Sequence, residues 1–155
     1  MKHQICGLLL GAMYLFTSMP ASAALGDQLV SGSSSTSKSA QSKKATSAGT
    51  TYTISETESG DLKIRQYVNS AGVVFAISWK GTSLPPLEEL LGTYLPEYKD
   101  KIAARGRVYG RKTLKIKTDN IVVEGSSRQT DQRGRAYIPA SLPQGFDLKD
   151  INYNE

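Results

Sequence analysis

The sequence holds one histidine, one cysteine and three methionines, and all of them lie before Ala24: His3, Cys6, Met1, Met13 and Met19. Residues 1–23 carry Lys2, an apolar run from Ile5 to Phe16, and Pro20 ahead of Ala21-Ser22-Ala23, the pattern of an export signal peptide cut after Ala23. That run is about a dozen residues long, short of the ~20 that a membrane-crossing helix needs. Cys6 precedes the run instead of following it, which argues against lipid attachment. The expected mature chain is periplasmic or secreted, has no transmembrane anchor, and has lost every histidine, cysteine and methionine. Without imidazole or thiol, Ser-His-Asp and thiolate catalysis and ordinary zinc or copper sites are excluded. The disulfides that staple many small exported domains are excluded too. No cofactor and no metal site is expected.

Charge is only mildly asymmetric: without Lys2, 18 basic residues stand against 14 acidic ones, a net of +4. Residues 31–50, SGSSSTSKSAQSKKATSAGT, contain no aromatic residue, no Leu, Ile or Val and no acid. Such a segment buries too little apolar surface to offset its ordering entropy, so residues 24–50 read as a disordered Ser-rich spacer. Ser35-Thr36-Ser37-Lys38 has the S-x-x-K spacing of a Ser/Lys nucleophile, but no S-D-N or K-T-G partner follows.

Regular patterning begins at Thr51 and marks a globular domain over 51–150, with 151–155 as a tail. Tyr52, Ile54, Leu62, Ile64 and Val68 alternate with polar residues around a Ser59-Gly60 turn, which predicts an antiparallel hairpin. Asn69 to Gly72 make a second turn. The run from Val73 to Trp79 is the most apolar strand, with Val73, Phe75, Ile77 and Trp79 on one face by strict alternation. Pro85-Pro86 then open a helix through Leu87, Leu90, Leu91, Tyr94, Tyr98 and Ile102, with Glu88 and Glu89 at its start and basic residues at its end. Gly92 and Pro96 predict a kink, because Pro96 has no N–H to donate to the Gly92 carbonyl. Strands are expected in KTLKIKT (112–118), IVVEG (121–125) and Arg135 to Ile138, with a polar loop from Ser126 to Gly134 and turn and tail from Pro143. The fold class is α+β: a single small domain with an antiparallel sheet of about five to six strands and one kinked helix on one face.

Two stretches carry a resemblance: RQYVNSAGVVFAISWKGTSLPPLEELLGTY (65–94) and GRAYIPASLPQG (134–145). They resemble domain of unknown function family 2844, uncharacterised bacterial exported proteins. The matching positions include Tyr67, Gly72, Phe75, Trp79, Gly81, Gly92 and Tyr94, then Gly134, Arg135 and Tyr137. Thr82 stands where the family usually has proline. The resemblance implies a signal peptide, a spacer and a folded core, and brings no reaction with it. Its motif residues read as structural.

Three groups of side chains compete as sites. Trp79, Phe75 and the tyrosines would make a sugar-stacking platform, but strand alternation places Trp79 in the core, leaving Tyr94, Tyr98 and Tyr109 as surface aromatics. Lys99, Lys101, Arg105, Arg107, Arg111, Lys112, Lys115 and Lys117 crowd eight basic residues into nineteen positions, with Asp100 the single acid among them. This is a possible seat for an anionic polymer, or else a solvated face, and no nucleic-acid motif accompanies it. Glu56, Glu58, Asp61, Glu88, Glu89, Glu97 and Glu124 leave room for a two-carboxylate hydrolase, with no pair singled out. The end of the chain from Asp150 resembles a calcium-loop opening but lacks its glycine and distal glutamate. The expectation is therefore a non-enzymatic cell-envelope binding or assembly module, meeting an anionic envelope polymer or another exported protein by its basic surface or a sheet edge. The alternatives are a hydrolase of cell-wall polysaccharide and an inhibitor of a secreted enzyme.

Overall fold

The computed structural model describes residues 23–29, 38–106 and 113–151. Seven strands are present among them: β1 (Lys38–Ala45), β2 (Thr51–Ser59), β3 (Leu62–Val68), β4 (Val74–Gly81), β5 (Thr113–Lys117), β6 (Val122–Arg128) and β7 (Asp131–Tyr137). They form one antiparallel sheet in the order β1-β2-β3-β4-β7-β6-β5. The α+β class and the single helical excursion stand, and the strand count rises from five or six to seven.

The additional strand is β1, inside the stretch expected to be a disordered spacer. Its side chains from Ala40 to Ala45 face water. Pairing along all of β1 with β2 supplies backbone hydrogen bonds that composition does not reveal. The loop after it is also tied down. The buried Thr46 hydroxyl accepts the Thr50 N–H at 3.1 Å and donates to the Gln144 carbonyl at 2.9 Å, and Ser47 donates to the Gly145 carbonyl at 2.8 Å. Residues 23–29 are likewise part of the fold. Leu25 is fully buried, and Leu25, Gly26 and Leu29 donate their N–H groups to Leu90, Val74 and Gly72.

The Ser126 to Gly134 loop is a second correction. Ser126 to Arg128 and Asp131 to Gly134 are the outer halves of β6 and β7, joined at Gln129-Thr130. The stretch is polar because this end of the hairpin runs beyond the core, where cross-strand pairing needs no apolar side chains.

Helix α1 (Leu87–Leu91) and helix α2 (Leu95–Arg105) are separated by a 3-10 turn at Gly92–Tyr94. The break falls where the sequence places it. Gly92 takes a positive φ of 48°, and Pro96 sits in the first turn of α2, where a missing N–H costs no helix bond. The break also admits the N-terminal segment, since a Cβ on Gly92 would lie 2.7 Å from that of Ala24.

The sheet is buried on both faces. Leu25, Ile77, Trp79, Leu90, Leu91, Tyr98, Val123 and Ala136 form the core beneath the helix. On the opposite face Tyr52, Ile54, Tyr67, Phe75, Val122 and Tyr137 are covered by Phe146, Leu148 and Ile151 of the C-terminal segment. What read as turn and tail is therefore a third layer. The expected shared face of Val73, Phe75, Ile77 and Trp79 is broken by a bulge, because β3 pairs Val68 with Val74 and Tyr67 with Ala76 and leaves Phe75 as an extra residue. An extra residue reverses the alternation. Phe75 thus joins the tail-side core, and Ile77 and Trp79 face the helix.

Candidate binding site

On the helix-side face, strand register aligns Ile64, Trp79, Gly134, Gly125 and Leu114 in a row across five strands. The two glycines oppose each other on β6 and β7, so the sheet surface there is bare backbone. Trp79 lies across Gly134, filling half of the gap. Its Cε2 would be 2.7 Å from a Cβ at that position, whereas a Cβ on Gly125 would meet only the Arg133 carbonyl at 3.7 Å. The space left above Gly125 is a cavity of about 280 Å³ beneath the end of α2.

Its walls are Trp79, Leu87, Tyr98, Ile102, Leu114 and Val123, and its described lining contains no carboxylate. Leu84 and Ile102 also line it and are, among the described residues, the large apolar ones most open to solvent, at 73% and 38%. Two guanidinium groups, Arg105 and Arg133, also line it, with the polar side chains of Thr113, Ser126, Ser127 and Gln132. Arg133 is ion-paired with Asp131. Arg105, in the last turn of α2, has a buried Nη1 with no hydrogen-bond partner among the described residues. An unmatched buried guanidinium nitrogen is unfavourable until an acceptor reaches it.

On the tail-side face the next row reads Glu56, Arg65, Ser78, Arg135, Glu124 and Lys115. Arg65 Nε meets Glu56 at 2.5 Å, Arg135 Nε meets Glu124 Oε2 at 2.7 Å, and Lys115 Nζ meets Glu124 Oε1 at 2.6 Å. Arg135 also donates to the Leu148 carbonyl at 2.7 Å, and the Tyr67 hydroxyl donates to that of Asp150 at 2.9 Å. Burial pushes the Tyr67 phenol up in pKa, against the pull of Ser78 and Arg65. This row fastens the tail to the sheet.

Burial opposes ionisation of Glu124, but Lys115 and Arg135 together outweigh it and hold the carboxyl below its ordinary range. A carboxylate with a depressed folded-state pKa contributes stability above its unfolded value, about 4.3, and loses it as pH falls through the folded value. Glu124→Gln is therefore expected to lower stability by about 1 kcal/mol at pH 7. In urea melts taken across the acid range, the gap between variant and parent should close as pH drops below that window.

The five described residues of the basic cluster are divided between the two faces of the sheet. Lys99, Lys101 and Arg105 are on α2, over one face, with Lys99 ion-paired to Glu88 at 2.9 Å. Lys115 is paired within the row on the other face, and Lys117, two residues on along β5, shares its side. Arg107, Arg111 and Lys112 lie outside the described residues, as do Ser35 and Tyr109.

Of the aromatic candidates, Trp79 is 5% exposed and belongs to the core, with one edge toward the cavity. Tyr98 is buried and not on the surface, and that burial raises its phenol pKa. Tyr94 is half-buried against Gly26. Two motif glycines meet local demands of packing and turn geometry. A Cβ on Gly81 would lie 2.8 Å from the Asp61 carbonyl oxygen, and Gly72 closes the Asn69 turn with a φ of 82°. Glu56 and Glu58 are ion-paired to Arg65 and Lys63, and Glu97 is held low by Thr118 and Asn120. No group of three metal-ligating side chains occurs among the described residues.

Gly125, Leu114 and Leu84 were missed as site residues. A glycine inside a strand pattern is itself a signal of close approach or missing volume. That Gly125 faces Gly134 depends on register, which the sequence does not display.

A seven-stranded antiparallel sheet, a broken helix above it and an arginine-edged, largely apolar cavity between them define a small α+β protein with a concave site under its helix. The chain belongs to the family described as Protein of unknown function (DUF2844), whose family model matches residues 21–151. No curated protein and no solved structure matches it.

Proposed function

We propose that the protein is an exported, non-catalytic binding module of the cell envelope, and that the cavity above Gly125 is its ligand site. The observation that carries this reading is the combination of apolar walls with an unmatched guanidinium nitrogen from Arg105. Concave apolar sites with a few convergent polar groups are the usual form of small-ligand pockets.

The reading of export rests on Lys2, the apolar run and Ala21-Ser22-Ala23. No helix of the described residues is long and apolar enough to cross a membrane. The carboxylates support binding over hydrolysis, because a general acid needs a raised pKa. Glu88, Glu97, Glu124 and Asp131 are all shifted downward, mostly by hydrogen-bonded or ion-paired neighbours. The free sheet edges are less suited to strand addition, since both carry lysines (Lys43 and Lys44 on β1, Lys115 and Lys117 on β5), which blunt edge-to-edge pairing.

The test is to produce the full chain with its leader, recover it from the envelope fraction, sequence its N-terminus, and identify small molecules released by solvent extraction. The expected result is a chain beginning at Ala24 with one class of small amphipathic molecule bound near stoichiometrically. Retention of the leader in the cytoplasm would sink the export reading. An empty protein that cleaves envelope glycans would sink the binding reading.

A further inference from the structure

Resting on that binding reading, we propose that the ligand is a single-chain carboxylic acid of medium length, its acyl chain over Gly125 and its carboxylate on Arg105. The walls select the chain. Trp79, Leu87, Leu114 and Val123 offer an acyl tail a continuous apolar wall, with the polar side chains of Thr113, Ser126, Ser127 and Gln132 also in the lining. The size sets the length. At about 280 Å³ the cavity lies just below the ~300–1,000 Å³ of common ligand pockets, which suits one short chain.

The charge selects the head group. With no carboxylate in the described lining and Arg133 already paired to Asp131, Arg105 is the lining cation that has no ion pair among the described residues. A ligand carboxylate would give it a charge-assisted hydrogen bond, stronger than one to a neutral oxygen. A neutral alcohol would satisfy it weakly, and an ammonium would be repelled. The lining suits such a molecule further, because Leu84 and Ile102 add solvent-exposed apolar surface to it.

The experiment is calorimetric titration of the full chain with decanoate, decanol, decylammonium and hexadecanoate, repeated on Arg105→Gln, Arg105→Lys and Gly125→Val. Expected are decanoate binding at least about tenfold tighter than decanol, a preference that Arg105→Gln removes and Arg105→Lys largely keeps. Gly125→Val should abolish binding with the melting temperature held or raised, because a β-branched residue suits a strand and the cavity has room for it. Equal binding of decanoate and decanol, unmoved by Arg105→Gln, would overturn the acid assignment while leaving the cavity as a ligand site. Hexadecanoate binding tighter than decanoate would overturn the size argument. Absence of binding by all four would overturn the cavity reading itself.

Discussion

Gly134→Ala is expected to destabilise the protein by about 3 kcal/mol, at the upper end of what overpacking a core costs. A Cβ there would lie 2.6 Å from the Glu124 carbonyl oxygen and 2.7 Å from Trp79 Cε2, with Trp79 Cζ2 nearer still. One obstacle is β6 backbone and the other a rigid indole held in the core, so neither can yield by a simple rotamer change. For a domain of this size the loss corresponds to a fall in melting temperature of about 12 °C or more. Gly125→Ala is the matched control. Its Cβ meets nothing closer than 3.7 Å, so stability should hold or rise slightly as the unfolded chain loses glycine's freedom. Removing part of the indole with Trp79→Phe should reduce the penalty of Gly134→Ala, a coupling that a double-mutant cycle measures. Equal urea midpoints for Gly134→Ala and the parent would show that Trp79 does not lie across Gly134.

Deleting residues 143–155 is expected to abolish cooperative folding. The ring of Phe146 sits 5.1 Å from those of Tyr52 and Phe75 and 6.3 Å from that of Tyr67, and Ile151 is fully buried. Each buried apolar side chain of this kind contributes about 1.5–3 kcal/mol. Together with the Arg135 and Tyr67 hydrogen bonds to the tail, that loss rivals the ~5–15 kcal/mol of net stability of a typical domain. The single change Phe146→Ala should cost about 3 kcal/mol and leave a folded protein with a lower urea midpoint. The deleted chain should show no sigmoidal urea transition and a flat near-ultraviolet circular dichroism spectrum. A sharp transition at the parent's midpoint would mean that the tail is not a layer of the fold.

The parts of this fold that were legible in the sequence depend on local rules. The hairpin of β2 and β3 follows from period-two alternation around Ser59-Gly60, and the helix and its break follow from heptad-like leucines interrupted by Gly92 and Pro96. The misread parts depend on partners distant in the chain. Strand β1 has no apolar pattern and exists because β2 offers it a backbone ladder. The outer halves of β6 and β7 are polar because they pair beyond the core. Phe75 changed faces through one extra residue against β3, and a one-residue irregularity inside an all-apolar run leaves no trace in the pattern.

The candidate site shows the same division. Arg105 was visible as one of eight clustered basic residues, but position in the chain could not separate it from Lys99 or Lys115, which are matched by Glu88 and Glu124. The sequence by itself determined the α+β class, the family and the absence of His, Cys and Met after residue 23. Composition and short-range periodicity suffice for the class and the missing residue types, and the family follows from the two motif stretches at 65–94 and 134–145. Only the tertiary structure decided that two glycines face each other beside Trp79, that a cavity remains there, and that one arginine of the cluster lines it with no ion pair among the described residues. Register and the packing of chain-distant residues create empty volume, and neither is written in any local stretch of residues.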